Sequence, residues 1–124
     1  MPKKDIPKDP IREQRIDYEI VVDAYDEIER SMGWYYYLDE KLVYPFSAKC
    51  ILERLTSPLG IGEQVKVLGM PSEEDCQDEM LVLVKYKTKK LAVPLAQLEC
   101  LSEDEDTLEA VADWHYWVGR GYQF

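Results

Sequence analysis

Oxygen donors are the chemistry that this sequence carries in excess. Asp and Glu number 25 against 15 Lys and Arg, a net charge of −10. The surplus is gathered into the clusters Asp23-Ala24-Tyr25-Asp26-Glu27-Ile28-Glu29, Asp39-Glu40, Glu73-Glu74-Asp75-Cys76-Gln77-Asp78-Glu79 and Glu103-Asp104-Glu105-Asp106. Carboxylates at this density repel one another, so they either face water or recruit a divalent ion that relieves the repulsion. Ca2+ takes roughly six to eight oxygens from carboxylates, backbone carbonyls and water in a flexible geometry, and acidic turns beside structured elements supply such donors. The EF-hand pattern D-x-[DN]-x-[DN]-G is absent, and the run Glu103 to Asp106 has no glycine where that loop must turn. Any calcium site here is of a non-EF-hand kind.

Position along the chain ranks the candidate ligands. On a helix begun at Ile11, Glu13 and Asp17 share the ridge that continues through Ile20, Ala24 and Ile28, whereas Glu19, Asp23, Asp26 and Glu27 fall on the solvent face. A strand folding back after Gly33 would return the chain by ~16 Å, about eleven helical residues. Asp39 would then stand near the level of Val21, with the turn Asp39-Glu40 in reach of Asp17 or Asp23. In the loop, Glu74 and Asp75 are further candidates, although five acids in seven residues with no evident framework predict weak and unselective binding.

Other chemistries find no pattern. The single histidine, His115, lies between Trp114 and Tyr116 on an apolar helix and reads as a packed or surface residue. Cys50, Cys76 and Cys100 form neither a CxxC half-site nor a paired framework, which argues against zinc and for reduced thiols in a cytoplasmic protein. No nucleophile elbow, HExxH, Walker loop or GxGxxG occurs, and carboxylate pairs are too common in this chain to indicate glycoside hydrolysis. We expect no enzyme.

The elements that must position these acids are those of an α+β fold. Residues 1–10, with three prolines and three lysines, read as a flexible arm, and residues 11–124 as one compact domain. A long N-terminal helix is predicted from Ile11 to Met32, ended by Gly33. Trp34-Tyr35-Tyr36-Tyr37-Leu38, a turn at Asp39-Glu40-Lys41, and Leu42-Val43-Tyr44-Pro45-Phe46 predict an aromatic β-hairpin. Three strands over 64–70, 80–86 and 91–95 then form a meander, read as a small SH3-like barrel or a curved antiparallel sheet. Lys85, Lys87, Lys89 and Lys90 protect its edge. A C-terminal helix starts between Ser102 and Thr107 and runs to Gly119.

With 46% hydrophobic residues the chain is too apolar for an acidic disordered tail, and its 124 residues suffice for a core. The negative balance disfavours nucleic acid and anionic membranes as partners. No apolar run approaches the ~20 residues of a spanning helix, and no signal-peptide core follows Met1.

Several ordered strings resemble the CcbP-type family of small acidic calcium-binding proteins. They are Glu19-Ile20-Val21-Val22-Asp23-Ala24-Tyr25, Glu29 through Leu38, Tyr44-Pro45-Phe46-Ser47-Ala48-Lys49-Cys50, Leu91 through Leu98, and Asp113-Trp114-His115-Tyr116-Trp117. The resemblance implies an intracellular, non-EF-hand Ca2+ buffer or sensor without catalytic activity, and it carries Asp39 over as a ligand. Glu13, Asp17, Glu40, Glu74 and Asp75 rest on the residue reading alone. The competing expectation is a protein-interaction module, binding an unidentified protein partner through an SH3-like barrel with acidity serving solubility.

Overall fold

A computed structural model describes residues 6–124. Its first helix is started by Asp9, whose Oδ1 accepts from the backbone N–H groups of Ile11 at 3.0 Å and Arg12 at 3.2 Å. Pro10 takes the first position, where no donor is missed, and α1 runs over Pro10–Arg15. The arm expected over residues 1–10 lies partly outside the described residues. Its second half is pinned, with Arg120 donating to the Ile6 carbonyl at 2.6 Å and the Asp9 N–H donating to the Tyr116 hydroxyl at 3.0 Å.

The long helix predicted from Ile11 to Met32 is in fact two. After α1 the chain widens into a π-helical turn, Ile16–Ile20, in which the Val21 N–H reaches back to the Ile16 carbonyl at 2.9 Å. It then breaks, with Asp23 at a φ of 56°. A new helix, α2 (Glu27–Lys41), begins at Asp26. Asp26 accepts from the Glu29 N–H at 2.8 Å, and the Glu29 carboxylate accepts from the Tyr25 N–H at 2.8 Å, a close variant of the capping box.

Gly33 does not end a helix but lies inside α2. There the helix crosses the π turn so closely that a Cβ would collide with the Ile20 carbonyl oxygen and stand 3.3 Å from its carbon. Backbone meets backbone, and neither side has a flexible tip that could move away. In an open helix Gly→Ala gains roughly 0.5–1 kcal/mol. Here Gly33→Ala is expected to lose about 1–3 kcal/mol, the usual cost of overpacking. Urea unfolding of the two proteins checks the sign, and a stabilised variant would refute the close crossing.

The aromatic hairpin is not formed either. Trp34 through Leu38 belong to α2, and Asp39-Glu40-Lys41 are its last turn. Ser31, Trp34, Tyr37 and Leu38 are buried at helical spacing, while Tyr36 faces outward. Trp34 sets its edge against Trp114, centroids 5.0 Å apart, and lies 5.5 Å from Trp117. Packing on one helical stripe has overridden the β preference of the aromatic side chains.

The sheet is five-stranded, antiparallel and open, in the order β4-β3-β2-β1-β5, with β1 Phe46–Cys50, β2 Gln64–Gly69, β3 Leu81–Tyr86, β4 Lys89–Pro94 and β5 Leu98–Cys100. Alternation places Phe46, Ala48 and Cys50 of β1, Val65 and Val67 of β2, and Val82 and Val84 of β3 in the core. The predicted strands thus exist, but β4 and β5 remain edges, so the sheet is not closed into an SH3-like barrel. Lys85, Lys87, Lys89 and Lys90 are exposed on the β3–β4 hairpin at one edge. Asp104 caps α3 (Glu105–Gly119), accepting from the Thr107 N–H at 2.9 Å. No helix of the described residues is long and apolar enough to cross a membrane.

Candidate metal centre

Three helical segments meet at a buried carboxylate. Asp113 of α3 is fully buried and accepts from Arg15 Nε at 2.8 Å and Nη2 at 2.9 Å, from Arg12, and from the Tyr37 hydroxyl at 2.6 Å. Burial would push its pKa up, but the hydrogen bonds from Arg15, Tyr37 and Arg12 outweigh that and hold it below the ordinary Asp value. This node fixes α2 against α1 and α3, and so fixes where the last turn of α2 points.

That last turn opens into a cleft of about 630 Å³ lined by Glu19, Ile20, Val22, Gly33, Tyr36, Tyr37, Asp39, Glu40 and Lys41. Three acidic residues, Glu19, Asp39 and Glu40, therefore line one depression. Asp39 and Glu40 sit at the C-terminal, negative end of a 15-residue helix, where the macrodipole opposes acidic side chains and favours a cation. Lys41 answers this only in part.

On the other side of the aromatic ridge stands the acidic loop. The Tyr35 hydroxyl donates to the Pro71 carbonyl at 2.6 Å and Tyr36 donates to Glu73. Burial, then the negative field of Asp39, Cys76, Glu73 and Asp75, raises the pKa of Tyr35. The loop also has more framework than its composition predicts. Glu73–Cys76 form a 3-10 turn anchored by buried Cys76, Asp75 accepts from Ser72 Oγ at 3.1 Å, and Glu79 pairs with Arg54 at 2.7 Å. Glu74 is exposed on that turn.

The remaining candidates lie apart from the cleft. Glu13 accepts from Tyr116 at 2.6 Å and Tyr122 at 2.7 Å. Burial opposes its ionisation, but these two phenols, with Lys8 and Arg120, lower its pKa. Its oxygens serve the α1–α3 junction. Asp17 is exposed on the π turn and does not line the cleft, nor does Asp23. The acid that lines the cleft with Asp39 and Glu40 is instead Glu19, which is exposed, as a uniform α-helix also assigns it. The π turn and the break after it interrupt the uniform helix. The cue available in the sequence was the Asp26-x-x-Glu29 capping signal, which forces a helix start where continuity was expected.

Hard oxygen donors at the negative end of a helix suit a hard divalent cation rather than zinc or copper. Among the described residues no three metal-binding side chains stand close enough to hold an ion by themselves. For Ca2+, with its roughly six to eight oxygens, carbonyls and water must complete the shell. Fold and cleft together define an acidic α+β protein whose donor chemistry fits calcium.

A family model described as calcium binding, of the CcbP type, matches residues 14–118. The chain belongs to this CcbP calcium-binding family, and Ca2+ is the ion to which its oxygen chemistry is assigned. The crystal structure of Anabaena CcbP superposes with a TM-score of 0.86 at 41% identity, covering 97% of this chain and 98% of that one. A calcium-binding protein in its calcium-binding form superposes at 0.84 and 41% identity, covering 94% and 96% respectively. No curated protein matched the chain.

Proposed function

We propose that the chain is an intracellular, cytoplasmic calcium-binding protein without catalytic activity, a buffer or sensor that takes Ca2+ through non-EF-hand carboxylate sites. The observation that carries this reading is one cleft lined by Asp39 and Glu40, at the wrong end of α2 for acids, and by Glu19. A bound cation relieves both their mutual repulsion and their conflict with the helix dipole. The acidic turn containing Glu73, Glu74 and Asp75 acts as a weaker, secondary region, since its acids are partly engaged by Tyr36 and Ser72. Three unpaired cysteines, two of them buried, accord with a reducing compartment.

Calorimetric titration with Ca2+ in magnesium-containing buffer tests the proposal. Asp39→Asn and Glu19→Gln are each expected to weaken the strongest site by about tenfold or more, because affinity follows the charge of the ligand set. Glu13→Gln should leave calcium affinity unchanged. Equal binding by wild type and Asp39→Asn would remove the cleft as the site.

A further inference from the structure

The outward face of α2 carries an apolar stripe that meets the calcium cleft only at Tyr36. Ile28, Met32 and Tyr36 follow one another at i+4 spacing on the side opposite buried Ser31, Trp34 and Leu38. They are 56%, 38% and 53% exposed, respectively. Tyr25 precedes the helix and is exposed, and Val22 shares the cleft with Tyr36. Large side chains at each of three successive turns of one exposed helix face exceed the scattered apolar residues of an ordinary surface. Acids frame them: Asp26 and Glu29 at the N-terminal end, Asp39 and Glu40 at the C-terminal end, and Glu73 beside Tyr36. Arg30, the cation nearest in sequence, is turned away to grip the Phe124 carbonyl.

We propose that this stripe docks a basic amphipathic helical segment of a partner protein, whose apolar face covers Ile28, Met32 and Tyr36 while its Lys and Arg side chains meet the framing carboxylates. Charge selects this occupant. A second copy laid antiparallel on the same stripe would set Glu29 against the other copy's Asp39 and Glu40, like charge against like. An anionic lipid surface meets the same repulsion from a chain of net charge −10. Asp39 and Glu40 belong to both the stripe's rim and the calcium cleft, so Ca2+ and the basic segment oppose one another, and by linkage the opposition is mutual. This last step rests on the calcium reading above; the docking itself does not.

The probe is a synthetic leucine–lysine amphipathic helix, titrated calorimetrically against the full chain in chelator, with a serine–lysine peptide of equal charge as control. The leucine–lysine helix is expected to bind about tenfold or more tighter than the control. The double variant I28Q/M32Q, its folding verified by an unchanged melting curve, should abolish that difference. An I28A/M32A variant repeats the test should the first fail to fold. Hydrogen-exchange protection over residues 25–40 should appear only with the leucine peptide. Equal binding of both peptides, or of wild type and variant, would show attraction by charge alone and overturn the proposal. Self-association of the wild type that I28Q/M32Q disperses, or binding to phosphatidylcholine vesicles that the variant loses, would overturn it in favour of another occupant. Repeated in saturating Ca2+, the stripe-dependent binding should weaken several-fold. If it is unchanged, docking stands and the placement of calcium at Asp39 falls.

Discussion

Asp113→Ala is expected to cost about 3–5 kcal/mol of folding stability, the range found when one partner of a buried ion pair is removed. The wild-type carboxylate has no exposure and gathers two arginines and a phenol from α1 and α2. Its loss leaves those donors facing an apolar gap. Arg12 keeps 28% of its side chain exposed and Arg15 keeps 15%, so both regain some hydration, which places the expectation toward the lower end. Urea denaturation gives the value directly, provided the slope with denaturant is unchanged. A loss below about 1 kcal/mol, the typical net worth of one hydrogen bond, would mean that the tryptophan packing alone orients α2. The same node sets an acid limit. Its native pKa is lowered, so the unfolded chain binds more protons as the pH falls. The stability Asp113 contributes is fully present above the ordinary Asp value of 3.8 and is lost as the pH drops from there through the lowered native value. Asp113→Asn should flatten that part of the stability–pH curve.

Calcium should raise the melting temperature, and the increase should correspond to about 2.7 kcal/mol at a hundredfold excess of free ion over the dissociation constant. Two effects contribute to it. Binding to the folded state alone stabilises by mass action, and neutralising Glu19, Asp39 and Glu40 removes a repulsion that the unfolded chain dilutes over a larger volume. The repulsion is screened by salt, so at a fixed calcium concentration the shift should be larger at low ionic strength, where the dissociation constant is smaller, than at 0.15 M, where the screening length is about 8 Å. Magnesium should do less, since it requires near-octahedral geometry and gives up water reluctantly. Asp39→Asn should itself melt slightly higher than wild type without calcium, because it removes an acid from the negative helix end. It should gain less when calcium is added. Equal melting temperatures in chelator, magnesium and millimolar calcium would move the acidic surface from ion binding to solubility.

Much of this molecule was determined by local sequence. The alternating valines of 64–69 and 81–86 dictate strands because one face of each must be buried. The Thr107 N–H finds its cap in Asp104 within the same short run, and the surplus of carboxylates alone directs attention to a hard cation. These features depend on neighbours a few residues apart. What the sequence did not determine was anything settled by contacts between distant residues. Trp34 through Leu38 have strand preferences, yet become helix because Trp34 finds Trp114 and Trp117, Tyr37 finds Asp113, and Leu38 is buried on the same side. The π turn and the Gly33 crossing set the segment that carries Glu19 against α2, so that Glu19 lines one cleft with Asp39 and Glu40, and no spacing rule for a uniform helix predicts that break. Glu13 and Asp39 look alike as isolated acids. Only the tertiary fold gives one to Tyr116 and Tyr122 and leaves the other at the negative end of a helix, where a cation gains most.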